Sequence, residues 1–274
     1  MLPKKIARLF IVNTYLDEIA AFHRERAKLD SRDLDTLERD ALSKENPGSF
    51  RDALMHSEFV ALIAEVKRRS PSKGNLNSEL NLDEVVERYV LGGARAISVL
   101  TDSKYFSGSL EDLRAVKSQC HLPILRKDFT VSPLDIYDAK LAGASAVLLI
   151  VAILSVSELG RLYRLAQDVG LEAVIEVHSS QEVEVALSVG AEIVGVNQRN
   201  LHTFEIDYEL ATKLIADLPS EVCKVAESGI SDRYQIERVA SAGCDAVLVG
   251  ESLVIPSSDH LKVESFATVP RRVP

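Results

Sequence analysis

Gly143-Ala144-Ser145-Ala146-Val147-Leu148-Leu149-Ile150 is a glycine, two small residues and an unbroken apolar run. It follows an amphipathic stretch, Pro133 to Ala142, so Gly143 stands where a helix ends on a residue of positive φ. An apolar run this short, bounded by such a signal, reads as a buried parallel strand. The same build recurs in Gly93-Ala94 before Ala96 to Leu100, Gly190-Ala191 before Ile193 to Val196, and Gly243-Cys244 before Ala246 to Gly250. These units lie about fifty residues apart, twice the length of a βα unit, and a further strand-like run falls between each pair. With the run at 60–66 the expected strands are 60–66, 96–100, 123–127, 145–151, 172–177, 192–196, 222–226 and 245–249.

Helical patterns fill the intervals: Asn81 to Leu91, Leu110 to Lys117, Pro133 to Ala142, Val156 to Val169, Gln181 to Val189, Asp207 to Ala216 and Asp232 to Ala242. Ser132 before Pro133, and Ser231-Asp232, are N-cap signals. Such alternation specifies a parallel sheet wrapped in helices. An open doubly wound sheet is the competing topology, but eight strands without a compositional break fit closure better. The expected fold is α/β, a (β/α)8 TIM barrel over residues 60–274, with an N-terminal helical extension over residues 1–59. In that extension Tyr15 to Leu29 and Ser49 to Met55 read as helices that cover the bottom or edge of the barrel.

The apolar runs end in polar residues: Glu65 and Lys67, Lys127, Glu176, Asn197, and Glu227 with Ser228. In a closed barrel such strand ends converge on one mouth. Taken singly, each reads as a solvated loop residue, but the fold brings them together as an acid/base set of lysines and glutamates. Glu227-Ser228-Gly229 and Gly250-Glu251-Ser252, after the seventh and eighth strands, form a second sub-site. Glycine lets the backbone approach an anion, and this is the recurrent phosphate position of barrels.

The formal charge of −9 is spread without long blocks of one sign, which argues against a nucleic-acid partner. Cys120, Cys223 and Cys244 show no CxxC spacing and read as reduced thiols. The histidines are scattered singly, so neither a structural metal nor a metal site is expected. The N-terminal apolar stretch is broken by Asn13 and Asp17, and the run Ala146 to Leu154 is too short to cross a bilayer. The chain therefore reads as cytoplasmic, with no membrane partner.

Residues 63–253 carry a family resemblance. Ile63-Ala64-Glu65-Val66-Lys67-Arg68-Arg69-Ser70-Pro71-Ser72-Lys73-Gly74 resembles the first-strand signature of indole-3-glycerol-phosphate synthases. Leu125-Arg126-Lys127-Asp128-Phe129, Ile175-Glu176-Val177-His178, Gly195-Val196-Asn197 with Arg199-Asn200-Leu201, Ala226-Glu227-Ser228-Gly229-Ile230 and Val249-Gly250-Glu251-Ser252-Leu253 follow in the family's order. The resemblance implies a lyase of tryptophan biosynthesis. It would close the ring of 1-(2-carboxyphenylamino)-1-deoxyribulose 5-phosphate with loss of carbon dioxide and water, and without a cofactor. It implies Lys127 as general acid, Glu176 as acid or base of the dehydration, Glu65 as the group orienting Lys127 and the sugar hydroxyls, and Lys67 as partner of the substrate's anionic groups. Ser70 would place the carboxylate, and Asn197 and Arg199 would hold the sugar. Glu227 would close the polar ring, and Ser228, Gly229, Gly250 and Ser252 would cradle the phosphate.

Three places depart from the family pattern: Arg69, Gln198, and the tail Val254 to Pro274, whose Pro256 and Pro270 leave only weak helical periodicity where a closing amphipathic helix belongs. Two other readings remain at this level. One is a different phosphosugar isomerase or cyclase on the same fold. The other is a binding or scaffold barrel that lost activity with its closing helix.

Overall fold

Eight parallel strands close on themselves in the computed structural model, which describes residues 14–70, 74–77, 80–199, 205–255 and 259–272. The chain enters through α1 (Tyr15–Leu29), α2 (Leu34–Ser43) and α3 (Phe50–Met55). The barrel begins at β1 (Ala61–Val66), which pairs with β2 (Ala96–Leu100) on one side and β8 (Ala246–Val249) on the other. Between them β3 (Ile124–Lys127), β4 (Ala146–Ile150), β5 (Glu172–Val177), β6 (Ile193–Asn197) and β7 (Cys223–Glu227) follow in chain order. No edge is left for the open-sheet alternative.

The outer helices are α4 (Leu82–Leu91), α5 (Leu110–Gln119), α6 (Pro133–Ala142), α7 (Val156–Asp168), α8 (Ser180–Ser188), α9 (Tyr208–Asp217) and α10 (Arg233–Ser241). Their ends obey local chemistry. Ser132 and Asp135 form a capping box ahead of α6, with Pro133 as its first residue. The four repeat glycines, Gly93, Gly143, Gly190 and Gly243, have φ of +84°, +92°, +83° and +88°, the left-handed conformation that a side chain would strain.

Two cores follow from the strand period of two. Leu62, Ala64 and Val66 of β1 face the helices with Ile97, Val99, Val147, Leu149 and Ile175. Ala61 and Ile63 face the barrel axis with Leu125, Leu148, Val174, Val225 and Leu248. Phe50 and Leu54 of α3 join this inner cluster, both fully buried, and plug the N-terminal end of the barrel. Burying side chains of this size stabilises by about 1.5–3 kcal/mol each.

The extension does not lie wholly at that end. α1 crosses to the opposite end, where Leu16 and Ile19 face the mouth. What takes it there is a buried polar junction. His23 Nε2 lies 2.8 Å from Asp102 Oδ2, while the other Asp102 oxygen accepts from the amides of Tyr105 and Phe106. Asp128, 4.0 Å from His23 Nδ1, is held by Arg126, Thr101 and the Phe129 amide. His23, Asp102 and Asp128 gather three residue types that ligate metals, but every carboxylate oxygen among them already meets a protein donor or the ring. Arg24–Glu158 at 2.6 Å, Arg26–Asp135, and Arg32–Asp138 at 2.7 Å strap α1 and its following turn to α6 and α7. α2, unforeseen in the sequence, buries only Ala41, so its apolar pattern is too sparse to announce it.

The tail, atypical in sequence, does supply a closing helix. After α11 (Glu251–Val254), residues 260–267 form α12 (His260–Ala267), capped by Asp259, with Val263 and Phe266 buried. α12 packs on α4 and α10. A Cβ at Gly92 would stand 2.4 Å from Val263 Cβ, so the fit depends on that glycine. The chain then returns beneath β1: Val60 N donates to Val269 O at 2.8 Å, Phe59 bridges Pro270, and Arg271 pairs with Asp245. The barrel is closed by a helix of eight residues whose two buried positions are too few to mark a period. Pro256 lies outside the described residues.

Candidate active site

The alternation that builds the inner core also builds the site. Moving up each odd-numbered strand by two residues from an inward apolar side chain reaches a charged one: Ile63 to Glu65 on β1, Leu125 to Lys127 on β3, Val174 to Glu176 on β5 and Val225 to Glu227 on β7. Four side chains of one barrel layer come from alternate strands, and this layer holds one lysine among three glutamates. Lys127 Nζ lies 3.1 Å from Glu176 Oε2 and 3.3 Å from Glu227 Oε2. Glu65 takes Lys67 instead, at 2.6 Å from Nζ. The expected direct pairing of Glu65 with Lys127 is therefore filled by Glu227.

Glycines on the even-numbered strands make room for this layer. A Cβ at Gly195 of β6 would stand 2.0 Å from Glu227 Oε1, and one at Gly250, just past β8, 2.3 Å from Glu65 Oε2. Gly250 thus has a steric duty toward Glu65 as well as its place at the start of α11.

Burial and neighbouring charge pull these groups in opposite directions. Burial disfavours the charged form of Lys127, but Glu176, Glu227 and Glu65 outweigh it and hold the ammonium well above the usual lysine range. Burial likewise opposes ionisation of Glu176. Lys127, then hydrogen bonds from His178 and Asn197, outweigh it and keep that carboxylate well below its usual range. Glu227 goes the other way. Burial, reinforced by Glu176 and Glu65 and only partly offset by Lys127, raises it to about 7. Two carboxyl groups on one lysine are thus driven apart, one ionised and one able to hold a proton near neutrality.

Above this floor is a cavity of about 600 Å³. Leu100, Phe106, Phe129 and Ile150 supply an apolar wall, and Tyr15, Leu16 and Ile19 of α1 complete it. Its other side carries Ser228 to Ser231 and Gly250 to Ser252. Ser228 and Gly229 both have positive φ, +68° and +73°. The strained serine is fixed from behind, because the buried Gln198 donates Nε2 to Ser228 O at 2.8 Å and Tyr208 Oη donates to Gly229 O at 2.8 Å. Ser252 Oγ donates to Ile230 O at 3.2 Å, tying the two loops together. Arg199 reaches toward Glu251 at 3.8 Å, and its amide donates to Asn197 Oδ1.

All twelve residues singled out in the sequence line this one cavity: Glu65, Lys67, Ser70, Lys127, Glu176, Asn197, Arg199, Glu227, Ser228, Gly229, Gly250 and Ser252. Pro71 to Lys73 and Asn200 to Leu201, parts of the quoted motifs, lie outside the described residues. Arg69 is exposed in a short antiparallel ribbon, opposite Asn75. Sequence reasoning missed His178, Gln198 as the support of Ser228, the aromatic wall, Gly195 and α1. Of these His178 and Gly195 carried a signal, the first as a polar residue directly after a strand and the second because an isolated glycine inside a strand marks a close approach.

Comparison with known proteins agrees with this geometry. The family model described as indole-3-glycerol phosphate synthase matches residues 16–266. A protein of that name from Saccharopolyspora erythraea is 44% identical over 79% of this chain and 80% of its own. Another from Carboxydothermus hydrogenoformans is 41% identical over 88% of this chain and 94% of its own. Among solved structures, the N-acetylmannosamine-6-phosphate 2-epimerase of Clostridium perfringens aligns with a TM-score of 0.59 at 15% identity, covering 78% of this chain and 94% of that one, which reflects the shared barrel alone. With the family model spanning nearly the whole barrel and relatives above two-fifths identity along most of their length, the chain belongs to the indole-3-glycerol phosphate synthase family, a family of carboxy-lyases.

Proposed function

We propose that the cavity closes the indole ring of 1-(2-carboxyphenylamino)-1-deoxyribulose 5-phosphate, with the charged layer as the reacting end and the Ser228 and Gly250 loops as the phosphate end. One observation carries the reading: a lysine clamped by two carboxyl groups of opposite protonation tendency stands beneath a cavity that is apolar on one side and built of glycine and serine loops on the other. The apolar side suits the aromatic ring. The loops suit the phosphate, whose binding energy positions the reacting carbons.

In this scheme the ring carbon that bears the carboxylate attacks the ketose carbonyl, and Lys127 gives its proton to the carbonyl oxygen as negative charge develops there. Carbon dioxide then leaves and the aromatic sextet is restored. Glu176 serves the dehydration: its carboxylate takes the proton lost by the methylene next to nitrogen and passes it to the new hydroxyl, which departs as water. Glu65 fixes Lys67 toward the substrate's anionic groups, and Ser70 helps place the carboxylate. Asn197 orients Glu176 and, with Arg199, holds the sugar. Glu227 closes the layer beside Lys127. No step in this scheme calls for a cofactor.

The scaffold alternative rested on a missing closing helix, and α12 removes that ground. Mixing the protein with the carboxyphenylamino substrate and following indole fluorescence tests the reading, since the chain has no tryptophan to obscure the signal. Growth of indole emission together with release of carbon dioxide supports it. Binding of the substrate without either change refutes it.

A further inference from the structure

The stoichiometry of this ring closure, on the function proposed above, places a demand on the site. The ketose oxygen leaves as water and so takes up two protons, while the methylene carbon returns one. Each turnover therefore draws one proton from solvent, and the charged layer ends each cycle one proton short.

The structure holds a route suited to supply it. His178 follows β5 directly, with Nε2 at 3.3 Å from Glu176 Oε1, while Lys127 occupies the other oxygen of the same carboxyl group. Its Nδ1 lies 3.2 Å from Glu182 Oε2, on the first turn of α8, and its amide donates to that oxygen at 2.7 Å. Behind it lies a second, smaller cavity of about 240 Å³, lined by His178, Glu182, Asp207 and Gln198 and sharing Asn197 and Arg199 with the main one. A substrate seated over Lys127 covers the front of the layer. The back, through Glu182, stays partly exposed.

We propose that His178 is a proton relay, acting through Glu176, by which the proton consumed in each turnover enters from the side cavity. In the transfer the Nε2–H bond breaks and an O–H bond forms on Glu176, which re-arms the Lys127–Glu176 pair. The neutral ring keeps its hydrogen on Nδ1, so a rotation about the side-chain bonds must turn the vacated nitrogen to the side cavity, where it regains a proton from solvent. Although burial disfavours the cation, Glu176 and Glu182 outweigh it and raise His178 to about 10, so the resting ring is protonated. Once Lys127 has given up its proton, the cation that chiefly holds Glu176 ionised is gone and the carboxylate can accept from the ring. Asp207 and Arg199 are the other charged groups that border the cavity.

A merely structural histidine and a relay differ in which phase of the reaction they limit. A positioning defect slows the first turnover and all later ones alike, whereas a supply defect falls mainly on turnovers after the first. In rapid-mixing experiments on the full chain, His178→Gln keeps a hydrogen-bonding side chain without a transferable proton. Its steady-state rate is expected to fall at least about tenfold more than its single-turnover rate, and added imidazole is expected to restore part of the difference. Glu182→Gln, which leaves the ring in place, is expected to give a smaller imbalance of the same sign and settles the matter if His178→Gln does not fold. Equal losses in both phases, or no loss in either, for the folded variant overturn the relay. A wild-type protein that forms no indole product at all overturns the proposed function instead.

Discussion

Replacing Gly195 by alanine is a test of the layer that leaves every charged residue in place. The added Cβ would stand 2.0 Å from Glu227 Oε1 and 3.1 Å from Val174 Cγ1, whereas ordinary contact begins at 3.4 Å, so the carboxyl group must retreat by at least 3.4 − 2.0 = 1.4 Å. It has little room to do so, because Glu227 is 1% exposed and sits against Lys127. The backbone is not strained, since Gly195 is an ordinary strand residue outside the positive-φ set. The fold should therefore tolerate the change at a cost of about 1–3 kcal/mol, the range for overpacking a tight interior. Activity should suffer more. Displacement of a catalytic group by about 1 Å costs on the order of 10² in rate, so kcat is expected to fall by about that factor. Circular dichroism, a urea titration and single-turnover fluorescence with the carboxyphenylamino substrate measure the two effects side by side. A folded Gly195→Ala protein whose kcat drops by less than about threefold would show that the place of Glu227 beside Lys127 does not matter to the reaction.

Gln198→Ala removes the amide that pins Ser228 in its left-handed conformation. Affinity for inorganic phosphate is expected to weaken by about tenfold, the equivalent of one buried hydrogen bond, with kcat changed much less; a loss in kcat alone would contradict the support role. Gly229→Val should obstruct the anion loop, because even a Cβ there meets Ile206 Cγ2 at 2.9 Å, while Ser228→Ala should be mild; equal losses would mean that the hydroxyl governs the site rather than backbone approach. Glu158 is held down to about 2, first by its hydrogen bond from Arg24 and then by those from Ser155. A depressed carboxyl group contributes stability that is present above its ordinary range and is lost as the pH falls toward the depressed value. Glu158→Gln is therefore expected to flatten the decline of melting temperature between roughly pH 4.5 and pH 2, and an unchanged acid limb would contradict the strap.

The parts of this molecule that were legible in its sequence are those set by local rules. Glycine stops such as Gly143, caps such as Ser132 and short apolar runs announce helices and strands one at a time, and closure follows from their number. The site was legible because a charge that ends a buried run, like Lys127 or Glu227, has few other places to go. Pairings within the site were not legible. Glu65 meets Lys67 and not Lys127 because strand register and the space left by Gly250 decide which oxygen reaches which ammonium. The path of α1 to the mouth was hidden for a similar reason: His23 is a lone histidine until folding brings Asp102 and Asp128 beside it. α12 was hidden by brevity, with Val263 and Phe266 the only buried positions it offers.

The central claim is that Lys127, clamped by Glu176 and Glu227, delivers the proton on which ring closure depends. Lys127→Met keeps the length and apolar stem of the side chain and removes the proton. The measurement is the single-turnover rate of indole formation by this variant, with inorganic phosphate affinity determined on the same sample. The expected result is a rate lower by on the order of 10²–10⁴ with phosphate affinity nearly unchanged. A loss of less than about tenfold would contradict the claim and move the acid to another member of the layer.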